Sequence, residues 1–220
     1  MDVAELRENW RSGWFQAAAY DAVVKRQLLA RVLAPVVWGT SIADFYAEVR
    51  RLSTEPAGGR ILDIPCGGGV AFRGLHPEQR GDYVAADLSR VMLSRARNEA
   101  EHRGLEQIEF IETDVEALPF SDGSFDLCIS YAGLHCFPGP PVAIGELGRA
   151  LKSGGELRGT SLVRGQGIRH DVLITLGQRR GIFGPVATAD QLESWLSEGE
   201  MEQVSMRVGG ALARFSARRV

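Results

Sequence analysis

Acidic side chains follow two short apolar segments of the chain. Residues 61–69 read ILDIPCGGG, so Asp63 comes shortly before three consecutive glycines. Glycines at such a turn carry no Cβ, which lets a ligand approach the backbone amides. A second apolar segment, residues 83–86, ends in Asp87. In an open α/β sheet, an acid at the tip of the second strand hydrogen-bonds a ribose diol. These residues therefore predict a site for a nucleoside-bearing cofactor.

The charge beside the glycine turn indicates which kind of cofactor fits. A carboxylate at Asp63 would repel a pyrophosphate and would suit an ammonium or sulfonium group. Counted from Gly67, the dinucleotide fingerprint G-x-G-x-x-G requires a third glycine at position 72, where Phe72 stands. An NAD-dependent oxidoreductase is thus the disfavoured alternative, and a cationic nucleoside without phosphate is favoured.

Apolar periodicity predicts the elements that position these residues. Helical spacing of apolar residues dominates the segment 1–55, which ends in a turn-rich linker. From Arg60 onward, short strands alternate with helices, which predicts a parallel sheet covered on both faces. The predicted strands are 60–65, 82–87, 107–112, 125–131 and 154–162, and the predicted helices lie near 69–75, 89–103 and 140–152.

The C-terminal residues predict a further helix and a hairpin. Thr188 and Gln191 have capping-box spacing before an apolar helix face that Gly199 terminates. Alternating apolar residues then flank Gly209-Gly210, which predicts a hairpin with an antiparallel final strand. The expected fold class is α/β, a Rossmann-like sheet of seven strands. The sheet is mostly parallel with an antiparallel final strand, has helices on both faces, and lies beneath an N-terminal helical cap.

Composition argues against a nucleic-acid-binding, membrane-spanning or secreted protein. The 220 residues carry a net charge of −3, with no clustered basic surface for nucleic acid. No apolar run reaches the roughly 18 residues that span a bilayer, and the polar N-terminus is unlike a secretory signal. Three cysteines without framework spacing suit a reducing compartment. We expect a cytoplasmic protein with no membrane span and no nucleic-acid partner, and the oligomeric state stays open.

Four segments in register carry a resemblance to a known family. They read ILDIPCGGG, VAADLSRVMLSRA, IETDVEALPFSDGSFDLCIS and LHCFPGPPVAIGELGRALKSGGEL. Their order and spacing resemble those of the class I S-adenosylmethionine-dependent methyltransferases, in the small-molecule branch that includes the ubiquinone and menaquinone biosynthesis methyltransferases. The resemblance covers residues 60–162 and, by topology, the final hairpin. It implies S-adenosyl-L-methionine as cofactor and methyl transfer to oxygen or carbon of a small, fairly hydrophobic molecule.

The resemblance also implies roles for individual residues. It places the glycine turn under the methionine and ribose, Asp87 at both ribose hydroxyls, and Asp114 at the adenine amino group. Ser130 and Tyr131 should lie near the reacting methyl. One departure is Pro65, where the family usually has glycine, because proline removes a backbone donor. The implied cofactor-binding residues are Tyr20, Asp63, Cys66, Gly67, Gly69, Asp87, Leu88, Met92, Asp114, Val115, Leu118, Ser130 and Tyr131.

The acceptor side of the site is predicted from His135 and two covering segments. His135 follows the fourth predicted strand, so its imidazole is the candidate general base, with pocket shaping as the alternative. No residues have zinc-ligand spacing, so no metal is expected. Residues 1–55 are expected to cap a cofactor-binding domain at 56–220, with 163–187 as a lid over an apolar acceptor. A cofactor-binding module that no longer transfers methyl remains an alternative.

Overall fold

The structure is a computed structural model that describes residues 3–12, 34–55, 58–79 and 81–220. Tyr20 lies outside the described residues. Residues 34–38 are helical, and 3-10 turns span Leu52–Thr54 and Val70–Gly74. The helices are α1 (Val3–Ser12), α2 (Ile42–Arg51), α3 (Arg90–Arg103), α4 (Pro140–Ala150), α5 (Ile168–Arg179) and α6 (Ala189–Glu198). The strands are β1 (Arg60–Asp63), β2 (Asp82–Asp87), β3 (Ile108–Glu112), β4 (Phe125–Tyr131), β5 (Leu151–Leu162), β6 (Met201–Gly209) and β7 (Leu212–Arg219).

The strands form one seven-stranded sheet in the order β3-β2-β1-β4-β5-β7-β6. Strands β1 to β5 pair in parallel, whereas β7 runs antiparallel to both β5 and β6. The hairpin turns at Gly210, whose φ of 58° lies in the left-handed region that favours glycine. The predicted fold class, including the antiparallel final strand, is confirmed.

The two faces of the sheet bury different residues because side chains alternate along each strand. One face packs Cys128 and Leu157 against α4 and α6. The other packs Ile129 together with Val49 of α2 and Leu93 of α3. Helices therefore cover both faces, as predicted. Since Val49 is buried in this second cluster, α2 belongs to the same core as the sheet.

Three predicted elements differ from the structure by type or by more than one residue. Strand β1 ends at Asp63, not at residue 65. The predicted helix near 69–75 is a short 3-10 turn, in which Gly74 packs so closely on α2 that a Cβ would lie 1.8 Å from the Val49 carbonyl oxygen. Strand β5 begins at Leu151, not at residue 154, so Lys152 lies in the strand. The register between β4 and β5 shifts between Phe125 and Leu127, which is how the strand accommodates these extra residues.

The predicted capping box of α6 is present. The Gln191 amide donates to Thr188 Oγ1 at 3.2 Å, and the Thr188 amide donates to Gln191 Oε1 at 2.9 Å. Gly199 follows the last residue of the helix, as predicted. In the described parts of the chain, no helix combines the length and apolarity needed to cross a bilayer.

Candidate functional site

A cleft of about 450 Å³ opens where the carboxyl ends of β1 to β4 converge. The strand order reverses between β1 and β4, and open α/β sheets bind ligands at such a switch point. The residues that line the cleft are Arg7, Trp10, Ile64, Pro65, Asp87, Leu88, Thr113, Asp114, Val115, Cys136, Phe137 and Pro138.

The glycine turn lies beside this cleft and is hydrogen-bonded to β2. The Cys66 amide donates to the Ala86 carbonyl at 2.9 Å, and the Gly67 amide donates to Asp87 Oδ2 at 2.9 Å. Gly69 adopts a φ of 82°, and a Cβ there would lie 2.6 Å from the Phe72 ring. The bulky residue at position 72 therefore packs on the turn itself, where a dinucleotide fingerprint would need glycine.

Asp87 lines the cleft with a buried carboxylate. Its Oδ1 accepts from the Ser89 amide at 2.8 Å, while Oδ2 accepts from Gly67. Burial raises the pKa of Asp87 to about 6, and these backbone hydrogen bonds oppose the increase. The carboxylate has about four acceptor sites. The Ser89 and Gly67 amides use two of them and the Leu88 amide also hydrogen-bonds the group, so acceptor capacity remains for a hydroxyl donor in the cleft.

Asp63 lies behind the glycine turn and not among the cleft-lining residues. The Tyr83 hydroxyl donates to Asp63 Oδ2 at 2.8 Å, and the residue is 1% exposed. Burial raises the pKa of Asp63 to about 8, the Tyr83 hydrogen bond lowers it, and the nearby Asp87 charge raises it. Near neutral pH this carboxyl therefore holds a proton in the ligand-free protein. Its contact with a cofactor cation remains a prediction.

Asp114 and Val115 line the cleft at the end of β3, opposite Leu88. Asp114 Oδ1 accepts from the Glu116 amide at 3.0 Å, which fixes the orientation of the carboxylate. The structure thus brings together Asp87, Leu88, Asp114 and Val115 around one space. The predicted residues Met92 and Leu118 are buried but are not among the residues that line the cleft, and the Leu118 amide donates to Glu146 Oε2 at 2.9 Å.

Helix α1 covers the cleft with two side chains. Arg7 Nε lies 3.1 Å from Asp114 Oδ2 as an ion pair, and its terminal nitrogen also contacts Glu116. Trp10 lines the cleft, and its indole Nε1 is buried without a hydrogen-bond partner among the described residues. Both residues belong to the predicted cap at 1–55, but the sequence did not predict Arg7 as a site residue. Nothing in the sequence around Arg7 indicated which acidic residues it would pair with.

Ser130 and Tyr131 point to opposite faces of β4. The Ser130 hydroxyl is buried without a partner in the described chain, and a Cβ at Gly133 would lie 2.3 Å from it and 2.4 Å from Pro65. Ser130 therefore lies beside a cleft-lining proline. The Tyr131 hydroxyl instead donates to the Glu48 carbonyl at 3.3 Å, so its side chain packs toward α2 and not into the cleft.

His135 is held in a neutral state by its surroundings. Its Nδ1 accepts from the Leu162 amide at 3.1 Å, so Nε2 carries the proton. Burial lowers the pKa of His135 to about 3. Its ring also packs edge-on against Phe183, with 5.4 Å between the ring centroids. The geometry disfavours the general-base role and favours pocket shaping, because neither nitrogen can take up a proton near neutral pH.

The predicted lid, residues 163–187, lies over the ends of β5 and β7. The Arg164 amide donates to the Ala187 carbonyl at 2.8 Å, and this hydrogen bond joins the two ends of the segment. Its apolar residues Ile174 and Val186 pack with Leu162, and Trp38 and Phe183 join them. Its action as a lid remains a prediction. Among the described residues, no group of histidine, cysteine and acidic side chains could hold a metal ion.

Comparison with known proteins finds similarity to methyltransferases. Residues 62–158 match the family model described as a methyltransferase domain. Over 107 residues, the chain is 43% identical to demethylmenaquinone methyltransferase of Thermus thermophilus, which is 48% of each protein. It is 34% identical over 155 residues to a ubiquinone/menaquinone biosynthesis C-methyltransferase of Roseobacter denitrificans, which covers 68% of this chain and 59% of the relative. The chain thus spans about half the length of these curated relatives.

Solved structures share the fold at low sequence identity. A phosphoethanolamine N-methyltransferase of Haemonchus contortus, solved with S-adenosylhomocysteine, gives a TM-score of 0.69 at 16% identity and covers 84% of this chain and 56% of that chain. The [4+2]-cyclase SpnF gives a TM-score of 0.65 at 19% identity and covers 80% of each chain. These likenesses concern the fold alone, which hosts more than one reaction.

Proposed function

Because the chain belongs to the class I S-adenosylmethionine-dependent methyltransferases, we propose that it transfers the methyl group of S-adenosyl-L-methionine to a small molecule. The observation that carries this proposal is the charge of the cleft. Asp87 and Asp114 line it together, and Arg7, the one cationic lining residue in the described part of the chain, is paired with Asp114 and Glu116. Such a cleft supplies acceptors for a nucleoside and opposes a pyrophosphate.

The residues present fit this cofactor. Asp87 has acceptor sites left for ribose hydroxyls, and Asp114 faces the same space beside Leu88 and Val115. We propose that these four residues hold the adenosine and that the turn at Gly67 lies under the methionine. When bound, S-adenosylmethionine supplies a methyl group already activated by its sulfonium. The protein then has to orient the acceptor and exclude water.

The acceptor is proposed to react at an oxygen or a carbon that loses its proton readily. His135 is held neutral with a pKa near 3, so it cannot deprotonate an ordinary alcohol. A phenolic hydroxyl or an acidic carbon needs less help from a base. The name of one relative, demethylmenaquinone methyltransferase of Thermus thermophilus, supports this choice.

A largely apolar acceptor is proposed from the side chains beside the cleft. Phe137 lines it, and the cluster of Trp38, Ile174 and Phe183 lies next to His135. Apolar walls with a few polar groups favour ligands with apolar surface. We propose that residues 163–187 cover such a molecule at the ends of β4 and β5.

Binding of adenosylhomocysteine by calorimetry tests the cofactor assignment. Wild-type protein should bind adenosylhomocysteine, and NAD should give no heat. The variant Asp87→Asn should bind adenosylhomocysteine about 10- to 100-fold more weakly, since charge-assisted hydrogen bonds contribute about 1.5–3 kcal/mol each. The matched control is Glu112→Gln, because Glu112 ends the neighbouring strand opposite Asp87 but pairs with Arg90. Tight binding of NAD, or unchanged affinity in Asp87→Asn, would contradict the assignment.

A cofactor-binding module without methyl transfer is the second candidate. It is favoured by the low pKa of His135, which leaves that histidine a poor general base. Release of adenosylhomocysteine during incubation with phenols, quinols and lipids distinguishes the two. Binding without release over this panel would favour the module.

A further inference from the structure

Helix α5 carries an apolar stripe on its solvent side. Ile168 is 86% exposed, Val172 52% and Leu176 39%. These residues follow one another at intervals of four, so their side chains are neighbours on one face of the helix. Single exposed apolar residues are normal on a protein surface, whereas an extended apolar patch marks a surface that binds another molecule.

The opposite face of α5 is already covered by the protein. Ile174 is fully buried and belongs to a cluster that Trp38 and Phe183 join. A Cβ at Gly177 would lie 2.4 Å from the Phe183 ring, so the helix also packs closely on the residues that follow it. The attachment of α5 to the protein therefore depends on this inner face, and it does not require the apolar side chains on the outside.

Arginines accompany the apolar stripe. Arg169, Arg179 and Arg180 are exposed. At 3.6 residues per turn, Arg169 and Arg179 fall within the same arc of about 100° as the three apolar residues, and Arg180 follows the last residue of the helix. The one acid of α5, Asp171, is half-buried outside this arc and accepts from the Gly165 amide at 3.0 Å. The outer face of α5 is thus apolar and basic, and it consists of Ile168, Arg169, Val172, Leu176, Arg179 and Arg180.

We propose that the outer face of α5 docks the protein on a membrane surface rich in anionic phospholipid. The apolar side chains of a helix that lies in the membrane interface enter the boundary between headgroups and acyl chains. Its basic side chains meet the anionic headgroups, and guanidinium groups match phosphate oxygens in a bidentate manner. The outer face of α5 has both kinds of side chain within one arc.

A second copy of the chain is a less suitable occupant of this surface. In a symmetric dimer the outer face of α5 would pair with itself. Antiparallel pairing would bring the first turn of one helix against the last turn of the other, so arginines would meet arginines without an acid on the face between them. Anionic headgroups supply the opposite charge, so charge complementarity favours lipid.

The docking surface is the outside of the segment 163–187, which we proposed above as the cover of an apolar acceptor. Docking would bring this cover to the phase in which an apolar molecule dissolves. The outer face shares no residue with the cofactor cleft. The inference therefore does not depend on the proposed methyl transfer.

Sedimentation with lipid vesicles tests the docking surface. Wild-type protein should bind vesicles of phosphatidylcholine with about 30% phosphatidylglycerol at least about 10-fold more strongly than pure phosphatidylcholine vesicles. Ile168→Ser/Val172→Ser should lower binding to the mixed vesicles at least about 10-fold, because two apolar side chains no longer enter the acyl boundary. Arg179→Gln/Arg180→Gln should lower it about 30-fold, through the loss of two charges near the surface.

Matched controls make the same changes elsewhere on the surface. Val91→Ser/Val142→Ser removes two exposed apolar side chains from α3 and α4. Arg90→Gln/Lys152→Gln removes two positive charges at exposed positions of α3 and β5. Both controls should bind the mixed vesicles as wild-type protein does. Adenosylhomocysteine should bind the two α5 variants as tightly as wild type, which shows that a loss of vesicle binding comes from the surface and not from misfolding.

A fluorescent label on α5 tests the same contact without removing it. The native cysteines are buried, so Val172→Cys should take up a maleimide label selectively, and as fast as Val142→Cys on α4. An environment-sensitive label on Val172→Cys should shift to shorter wavelength with the mixed vesicles. The same label on Val142→Cys should not shift.

Several outcomes would overturn the inference. They are equal or absent binding of wild-type protein to the two kinds of vesicle, undiminished binding by the α5 variants, and an equal loss in the controls. Slow labelling of Val172→Cys in the free protein would show that another part of the chain covers this face. A dimer that Ile168→Ser/Val172→Ser dissociates, without binding to vesicles, would assign the face to a second copy.

Discussion

At the residue scale, His135 shows how one backbone contact sets the position of a proton. The Leu162 amide donates to Nδ1, so the neutral ring carries its proton on Nε2. Burial then removes the charged form by lowering the pKa to about 3. A histidine at the end of a strand is a reasonable base on the sequence alone, but its protonation is decided by Leu162, which lies on the next strand of the sheet.

Substitution of His135 distinguishes a general base from a residue that shapes the pocket. His135→Asn should keep an oxygen that accepts from the Leu162 amide, whereas His135→Ala leaves that buried donor unpaired at a cost of about 1–3 kcal/mol. Urea unfolding should therefore show a larger loss of stability in the alanine variant. If His135 were the base, His135→Asn would also abolish turnover while leaving adenosylhomocysteine affinity unchanged, and that result would restore the base role.

At the element scale, α1 acts as the roof of the cleft through one face. Arg7 and Trp10 lie one turn apart and both line the cavity, whereas Arg11 is exposed. Trp10→Ala should weaken adenosylhomocysteine binding by about 1–2 kcal/mol, since the indole would no longer bury the ligand. Calorimetry on Trp10→Ala and on the control Arg11→Ala provides the comparison. Equal affinities in the two variants would show that α1 does not contact the cofactor.

The packing of α2 on the 3-10 turn depends on a glycine. A Cβ at Gly74 would lie 1.8 Å from the Val49 carbonyl oxygen, whereas one at Gly145, within α4, would meet no atom within 4 Å. Gly74→Ala should therefore destabilise the protein by about 1–3 kcal/mol or more. Gly145→Ala should stabilise it by about 0.5–1 kcal/mol, because alanine favours the helix. Denaturant midpoints of both variants check these expectations. Unchanged stability in Gly74→Ala would show that α2 does not pack closely on this glycine.

At the scale of the whole molecule, buried Asp63 makes stability depend on pH. Its pKa is raised from 3.8 to about 8 in the folded chain, so the folded state holds a proton that the unfolded state has lost between these values. The free energy of unfolding should fall as pH rises from 6.5 to 7.5, by up to about 1.4 kcal/mol per pH unit. Below pH 6.5 the lowered pKa of His135 acts in the opposite direction.

Asp63→Asn should flatten this dependence, because the amide stays neutral and can still accept from the Tyr83 hydroxyl. Asp126→Asn is the control, since the hydrogen bonds from Arg60 and Lys152 lower the pKa of Asp126. Urea unfolding of the three proteins at both pH values makes the comparison. An equal slope in wild type and Asp63→Asn would show that the Asp63 carboxyl is ionised when folded.

The sequence by itself determined the order of the strands along the chain and the acids that follow two strands of the sheet, but it did not predict the helix Ile168–Arg179 within the predicted lid. It also determined the capping box at Thr188 and Gln191 and the hairpin at Gly210. These features rest on contacts between residues near in the chain, so local pattern predicts them. The proposed cofactor-binding residues Asp87, Leu88, Asp114 and Val115 converge because parallel strands share one carboxyl edge.

Only the tertiary structure decided which side chains meet across the sheet and which are withdrawn from water. Asp63 bonds Tyr83, His135 accepts from Leu162, and Arg7 pairs with Asp114. The opposition of Arg207 and Arg214 depends on hairpin register, and a shift of one residue would move both to the other face. Protonation and pairing follow from burial and from partners far along the chain, which local patterns do not encode.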